Sequence, residues 1–135
     1  MNTINRFSIS LLLSLLVTGA AAQAFSPDAA QSVLDHYLII QGALARDSIK
    51  NVSANAQALA AAVRGDQTQT HAIAQHADIL ARASNLAKAR DAFKPLSEAL
   101  IGYLKANQVV AGTYYEVYCP IVKASWLQTS ETVKN

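Results

Sequence analysis

Sulfur is scarce in this sequence, which holds one cysteine, Cys119, and one methionine, Met1, among 135 residues. A lone cysteine excludes an internal disulfide framework. Glycine and proline are sparse as well, at 5 and 3 residues, and there is no Gly-rich loop, internal repeat or low-complexity tract. Charge is equally thin. Only 15% of residues are charged, and 11 basic against 9 acidic side chains give a formal net charge of +2. Such a balance, without clustered positive charge, excludes an electrostatic nucleic-acid binder. No apolar run reaches the roughly 20 residues that a transmembrane helix needs. What remains is a chain that is 52% hydrophobic, of a length that fits one domain.

The N-terminus reads as an export signal. Arg6 gives a short positive start, and an apolar run follows from Phe7 to Val17. Gly19 and small residues come next, and Ala22-Gln23-Ala24 matches an A-x-A cleavage site. Residues 1–24 are therefore expected to be a cleaved secretory signal peptide and Phe25 the first mature residue. No cysteine lies near that cut, which excludes a lipoprotein. The expected location is the periplasm, with no stable membrane insertion after cleavage. Removing the signal takes away Arg6 and Met1, leaving a net charge of +1 and no methionine.

Residues 25–135 read as a single all-α domain, an antiparallel up-down four-helix bundle with helices at roughly 27–46, 48–64, 70–82 and 85–107. Ser26-Pro27-Asp28 is a helix start, with a Ser cap, Pro in the first turn and an acid at the positive dipole end. Val33, Tyr37, Ile40 and Leu44 then form a buried stripe, with Leu34 and Leu38 alongside. Asp47-Ser48 is the next break, and either residue can cap the second helix. There Ile49, Val52, Ala56, Leu59, Ala60 and Val63 share one face. Asn51-Val52-Ser53 matches a glycosylation sequon but is expected mid-helix, so it is discarded. Gly65-Asp66 ends the helix. The third helix buries Ile73, Ala77 and Leu80. The fourth, with Ser84 as its expected cap, buries Leu86, Phe93, Leu96, Leu100 and Leu104. Pro95 is expected on its solvent side, where it lacks an N–H and crowds the carbonyl of Asp91, kinking or locally breaking the helix.

After Asn107 the pattern changes to β-branched and aromatic residues. Residues 112–119 are expected to be extended and packed on the bundle, since a lone strand cannot stand by itself. Alternation places Tyr115, Val117 and Cys119 on one side and Tyr114, Glu116 and Tyr118 on the other. Trp126-Leu127 follow after a short link.

Three elements in order, Arg90-x-x-Phe93-x-x-Leu96-Ser97, Tyr118-Cys119-Pro120 and Trp126-Leu127, resemble the bacterial domain of unknown function 3347 family. The resemblance implies a helical exported domain associated with CusB-type heavy-metal efflux adaptors, handling copper or silver. The family pattern reads Cys-Pro-Met where this chain has Ile121 after Pro120, and the insert before the Trp is compressed to Val122-Lys123-Ala124-Ser125. The pattern also continues into a Pro-Tyr-Tyr-Gly stretch and a second cysteine beyond the equivalent of Asn135. Either the chain is truncated there or it is a degenerate member.

Within that frame Cys119 is the sharpest chemical feature. A soft thiolate suits Cu(I) or Ag(I), provided a second sulfur or nitrogen donor joins it. The only nitrogen candidates are His36, His71 and His76, of which His36 and His76 are set beside Cys119 as the candidate metal set. His71 and His76 are about 140° apart around a helix and do not chelate as a local pair. The bland alternatives for Cys119 are a small buried hydrophobe or an intermolecular disulfide. Arg90 shares the Phe93 and Ser97 face, and either pairs with a carboxylate or tyrosine or lays its stem on the core. Tyr114, Tyr115, Tyr118 and Trp126 form the densest aromatic region, sealing the bundle or presenting a surface to a partner. The functional expectation is a non-catalytic heavy-metal accessory or binding domain. Its alternative is an envelope interaction module that binds no metal, its partner an efflux adaptor or another envelope protein. No acids, bases and glycines converge as an enzyme site would require.

Overall fold

The computed structural model describes residues 25–64 and 70–133. The expected signal peptide, Gly65-Asp66 and the loop residues up to 69 lie outside the described residues. The elements run α1 (Pro27–Leu44), α2 (Val52–Arg64), α3 (His71–Ala81), α4 (Leu86–Ala106), β1 (Tyr115–Cys119) and β2 (Ala124–Gln128).

The start of α1 is built as its sequence dictates: Pro27 opens the helix and the Ser26 hydroxyl accepts the Ala29 N–H at 3.2 Å. Its end comes at Leu44 rather than 46, because Asp47 takes a left-handed φ of 56°, a conformation that Asp tolerates better than most residues. The second helix begins at Val52, four residues later than the periodicity predicts. Ser48 spends its hydroxyl on the Lys50 N–H in a local turn, and Asn51 is left-handed at φ 64°. Ile49 therefore falls outside the helix and is exposed, while Val52, Ala56, Leu59, Ala60 and Val63 are buried as a stripe. Asn51, expected mid-helix, sits on the exposed turn before α2.

Thr70 ties the neighbouring helix ends together, donating its hydroxyl to the Val63 carbonyl at 2.8 Å. The cap of α4 is Asn85, not Ser84; its side chain accepts the Lys88 N–H at 2.9 Å. This helix continues through Pro95 as one element, and Pro95 is half-buried rather than on the solvent side. Its buried face is Ala89, Phe93, Leu96, Ser97, Leu100, Ile101 and Tyr103, with Leu86 and Leu104 at the margin.

Four helices hold most of the described residues, but the tail corrects the purely helical expectation. The extended segment does not lie alone on the helices. β1 pairs antiparallel with β2, Tyr115 opposite Gln128, Val117 opposite Trp126 and Cys119 opposite Ala124. Lys123, left-handed at φ 49°, helps close the turn between them. The missed strand holds Trp126-Leu127, whose short run of large apolar residues reads equally well as a loop anchor. Consecutive helices pack on each other, and β2 lies against both α4 and α1. One hydrophobic core results, drawing on all four helices and on Trp126 and Leu127.

Candidate functional site

The junction of α1, α4 and the hairpin is fixed by a buried polar group. Tyr37 on α1 is fully buried, and its ring stacks on Phe93 of α4 at 5.1 Å between centroids. Its hydroxyl shares a hydrogen bond with the Ser97 hydroxyl, also fully buried, and accepts the Leu127 N–H at 3.1 Å. One phenol thus joins two helices to β2. Burial pushes its pKa up from 10.0 to about 12, against the smaller opposing pull of the bonds to Ser97 and Leu127. A buried polar group without partners costs about 1–3 kcal/mol, so Ser97 and the strand amide are what make Tyr37 tenable there. Tyr37 is foreseeable from the periodicity and Ser97 from its place on the Phe93 face; their meeting is not, because the two lie 60 residues apart.

This bond also orients the hairpin. In an antiparallel pair the N–H and C=O of a residue point the same way, and successive residues alternate. With the Leu127 N–H aimed at Tyr37, the pairs Val117–Trp126, Tyr115–Gln128 and Cys119–Ala124 exchange the ladder bonds. The backbone groups of Glu116 and Tyr118 then point away from β2, along the outer edge of β1. Among the described residues that edge has no partner strand.

The tail residues divide accordingly. Trp126 is only 9% exposed, with its ring N–H donating to the Gln128 side chain at 3.2 Å. Tyr114 and Tyr115 are half-buried; the Tyr114 hydroxyl accepts from Gln31 at 3.5 Å and the Tyr115 hydroxyl donates to Glu131 at 3.3 Å. Tyr118 is 61% exposed. The alternation expected along β1 is present, with Tyr115, Val117 and Cys119 half-buried and Glu116 and Tyr118 exposed. Of the four aromatics only Trp126 belongs to the core, and only Tyr118 stands in solvent. The turn adds two residues that sequence reasoning passed over: Ile121, 90% exposed, and Val122, 49% exposed. Two successive aliphatics beside a proline were the available signal.

Cys119 is free and half-buried. It lines a cavity of about 490 Å³ between α1, α4 and the hairpin, shared with Leu44, Arg90, Phe93, Lys94 and Trp126. Neither histidine of the candidate metal set joins it there. His36 on α1 pairs through Nδ1 with Asn55 of α2 at 2.9 Å, and His76 is half-buried on α3. His71, left out of that set, is exposed in the first turn of α3. Among the described residues no three His, Cys, Asp or Glu side chains gather so as to hold a metal ion. Cys119, His36 and His76 are thus not assembled as one ligand set among the described residues, His36 meeting α2 and His76 lying on α3, both outside the Cys119 cavity.

Arg90 takes the paired form of its two expected readings, with a carboxylate partner. Its Nη2 donates to the Leu44 carbonyl and to Asp47, each at 2.7 Å. It thereby gives the last carbonyl of α1, which also accepts the Asp47 N–H at 3.2 Å, a second donor and pins the left-handed Asp47. Of the other ion pairs, Lys105–Glu116 links the end of α4 to β1, and such exposed pairs contribute little to stability.

No described helix is long and apolar enough to cross a membrane. No curated protein and no solved structure matches the chain. The family described as protein of unknown function (DUF3347) matches residues 33–112, from the first turns of α1 to just before β1. Of the three elements that carry the resemblance, Arg90 to Ser97 lies inside that span, and the Tyr118 and Trp126 elements lie beyond it. The matched span covers more than half of the sequence, and the chain belongs to the DUF3347 family.

Proposed function

We propose that this is a non-catalytic envelope docking domain, exported by its N-terminal signal, whose hairpin adds an extended segment of another envelope protein to the outer edge of β1. The observation that carries this reading is the contrast within one hairpin. β2 is buried against the helices, while β1 keeps an open backbone edge flanked by Tyr118, Ile121 and Val122 in solvent. An unpaired edge supplies main-chain hydrogen bonds, and neighbouring apolar side chains supply specificity. The occupant is an extended apolar segment, and the efflux adaptor implied by the family resemblance is the first candidate to supply it. Handling of copper or silver lacks an assembled donor set among the described residues, so docking is preferred over metal binding.

Site-specific photocrosslinking in the envelope tests this. A crosslinker at position 121 is expected to trap one partner protein, and a crosslinker at the exposed Ala54 of α2 is not. Tyr118→Ala should weaken the adduct. Adducts formed equally from both positions, an adduct only with a second copy, or none at all would reject the proposal. A Cu(I) affinity lost in Cys119→Ala would instead restore the metal reading.

A further inference from the structure

The cavity beside the hairpin lies apart from the outer backbone edge of β1, the turn residue Val122 bordering both. We propose that it binds an amphipathic organic anion, of the kind represented by a medium-chain carboxylate. Its volume of about 490 Å³ falls within the roughly 300–1,000 Å³ of small-molecule sites. Leu44, Phe93, Val122 and Trp126 give its walls an apolar character. Arg90 and Lys94 line it as well and are the cations of the site. Both bonds that anchor Arg90 run through Nη2, so the guanidinium is held in place with further N–H donors to offer. Lys94 reaches Asp91 at 3.4 Å, an i,i+3 surface contact of little strength. Asp91, the only carboxylate in the lining among the described residues, has a side chain that is 78% exposed, so it is turned to water rather than into the apolar space.

That layout discriminates among ligand classes. A purely inorganic anion uses the cations but not the apolar walls. A neutral amphiphile uses the walls but leaves the cations unused. A cationic amphiphile finds, among the described residues, no carboxylate facing the apolar walls, since Asp47 and Asp91, the partners of Arg90 and Lys94, are turned to water. Only a molecule with an apolar body and one anionic head uses both, and a planar guanidinium is suited to a carboxylate head.

Trp126 is the only tryptophan of the chain and stands in the cavity wall, so its emission reads occupancy directly. The experiment titrates the protein with decanoate, below its micelle concentration, against decanol and decylammonium. A saturable change with decanoate is expected, at half-saturation about tenfold lower than with decanol, as a charge-assisted contact provides. Decylammonium should bind more weakly than either. Lys94→Ala should weaken decanoate several-fold and leave decanol unchanged, and bound decanoate should slow labelling of Cys119 by maleimide. Equal half-saturation for the three amphiphiles, an unaltered decanoate affinity in Lys94→Ala, or emission unmoved by decanoate would overturn the proposal. None of these results bears on partner capture by the β1 edge, which is read at position 121.

Discussion

The two strands of the hairpin are each five residues long, pair along their whole length, and have opposite fates. β2, Ala-Ser-Trp-Leu-Gln, is buried at four of its five positions, and its outward-pointing Leu127 N–H is taken by Tyr37. β1, Tyr-Glu-Val-Tyr-Cys, alternates half-buried and exposed side chains and leaves one backbone edge open. Their compositions do not explain the difference, since β1 has the stronger strand formers. What separates them is a helix-borne hydroxyl that selects which strand faces the bundle. In a two-stranded sheet, which is marginal alone, one strand serves as the anchor and the other is left available.

The sharpest way to break this contrast is to remove the anchor. Trp126→Ala is expected to cost about 3–5 kcal/mol, the range for deleting a large aromatic from a core, measured by urea or thermal unfolding. Raising the pH tests the second support. The Tyr37 hydroxyl has its pKa raised from 10.0 to about 12 in the fold, so the unfolded chain loses this proton first as the pH rises. The stabilisation is fully present below pH 10 and falls away as the pH climbs toward 12. About 2–3 kcal/mol should be lost across that window, from two units at about 1.4 kcal/mol each. Denaturant midpoints between pH 9 and 12 would show it, compared with Tyr37→Phe to isolate this group from other titrations.

That variant makes a further prediction at neutral pH. Phe at position 37 keeps the stacking on Phe93 but strands the Ser97 hydroxyl and the Leu127 N–H, costing about 1–3 kcal/mol. Faster amide exchange at Leu127 should accompany the loss. The smallest effect belongs to β1. Tyr118→Ala and Ile121→Ser are exposed changes and should alter stability by no more than about 0.5 kcal/mol. A loss comparable to that of Trp126→Ala would show that β1 and the turn are structural, and would erase the distinction between the strands.

Much of this architecture is written locally. The Ser26-Pro27-Asp28 start and the stripes of Val33–Leu44, Val52–Val63 and Ile73–Leu80 depend on caps and on a 3.6-residue period, which neighbouring residues alone define. The alternation along Tyr115–Cys119 is of the same kind. The failures sit where a local rule has competitors. Ser48 and Asn51 can cap a helix or form a turn, and the turn delayed α2; Ser84 and Asn85 are rival caps one residue apart. The candidate site was less legible still. Its residues stand out individually, but the histidines set beside Cys119 do not line its cavity, while Ile121 reads only as a replacement for a family methionine and Val122 only as part of a short link.

Sequence by itself determined the four helical stretches, their buried faces, and the poverty in sulfur and charge, because each is a property of spacing or of composition. Only the tertiary structure decided which residues meet. It joined Tyr37 to Ser97 and Leu127, positions 60 and 90 residues apart along the chain, made Trp126 a core residue, and left the outer edge of β1 to solvent. Contacts between distant segments depend on how whole faces pack, and no short window of sequence encodes that choice.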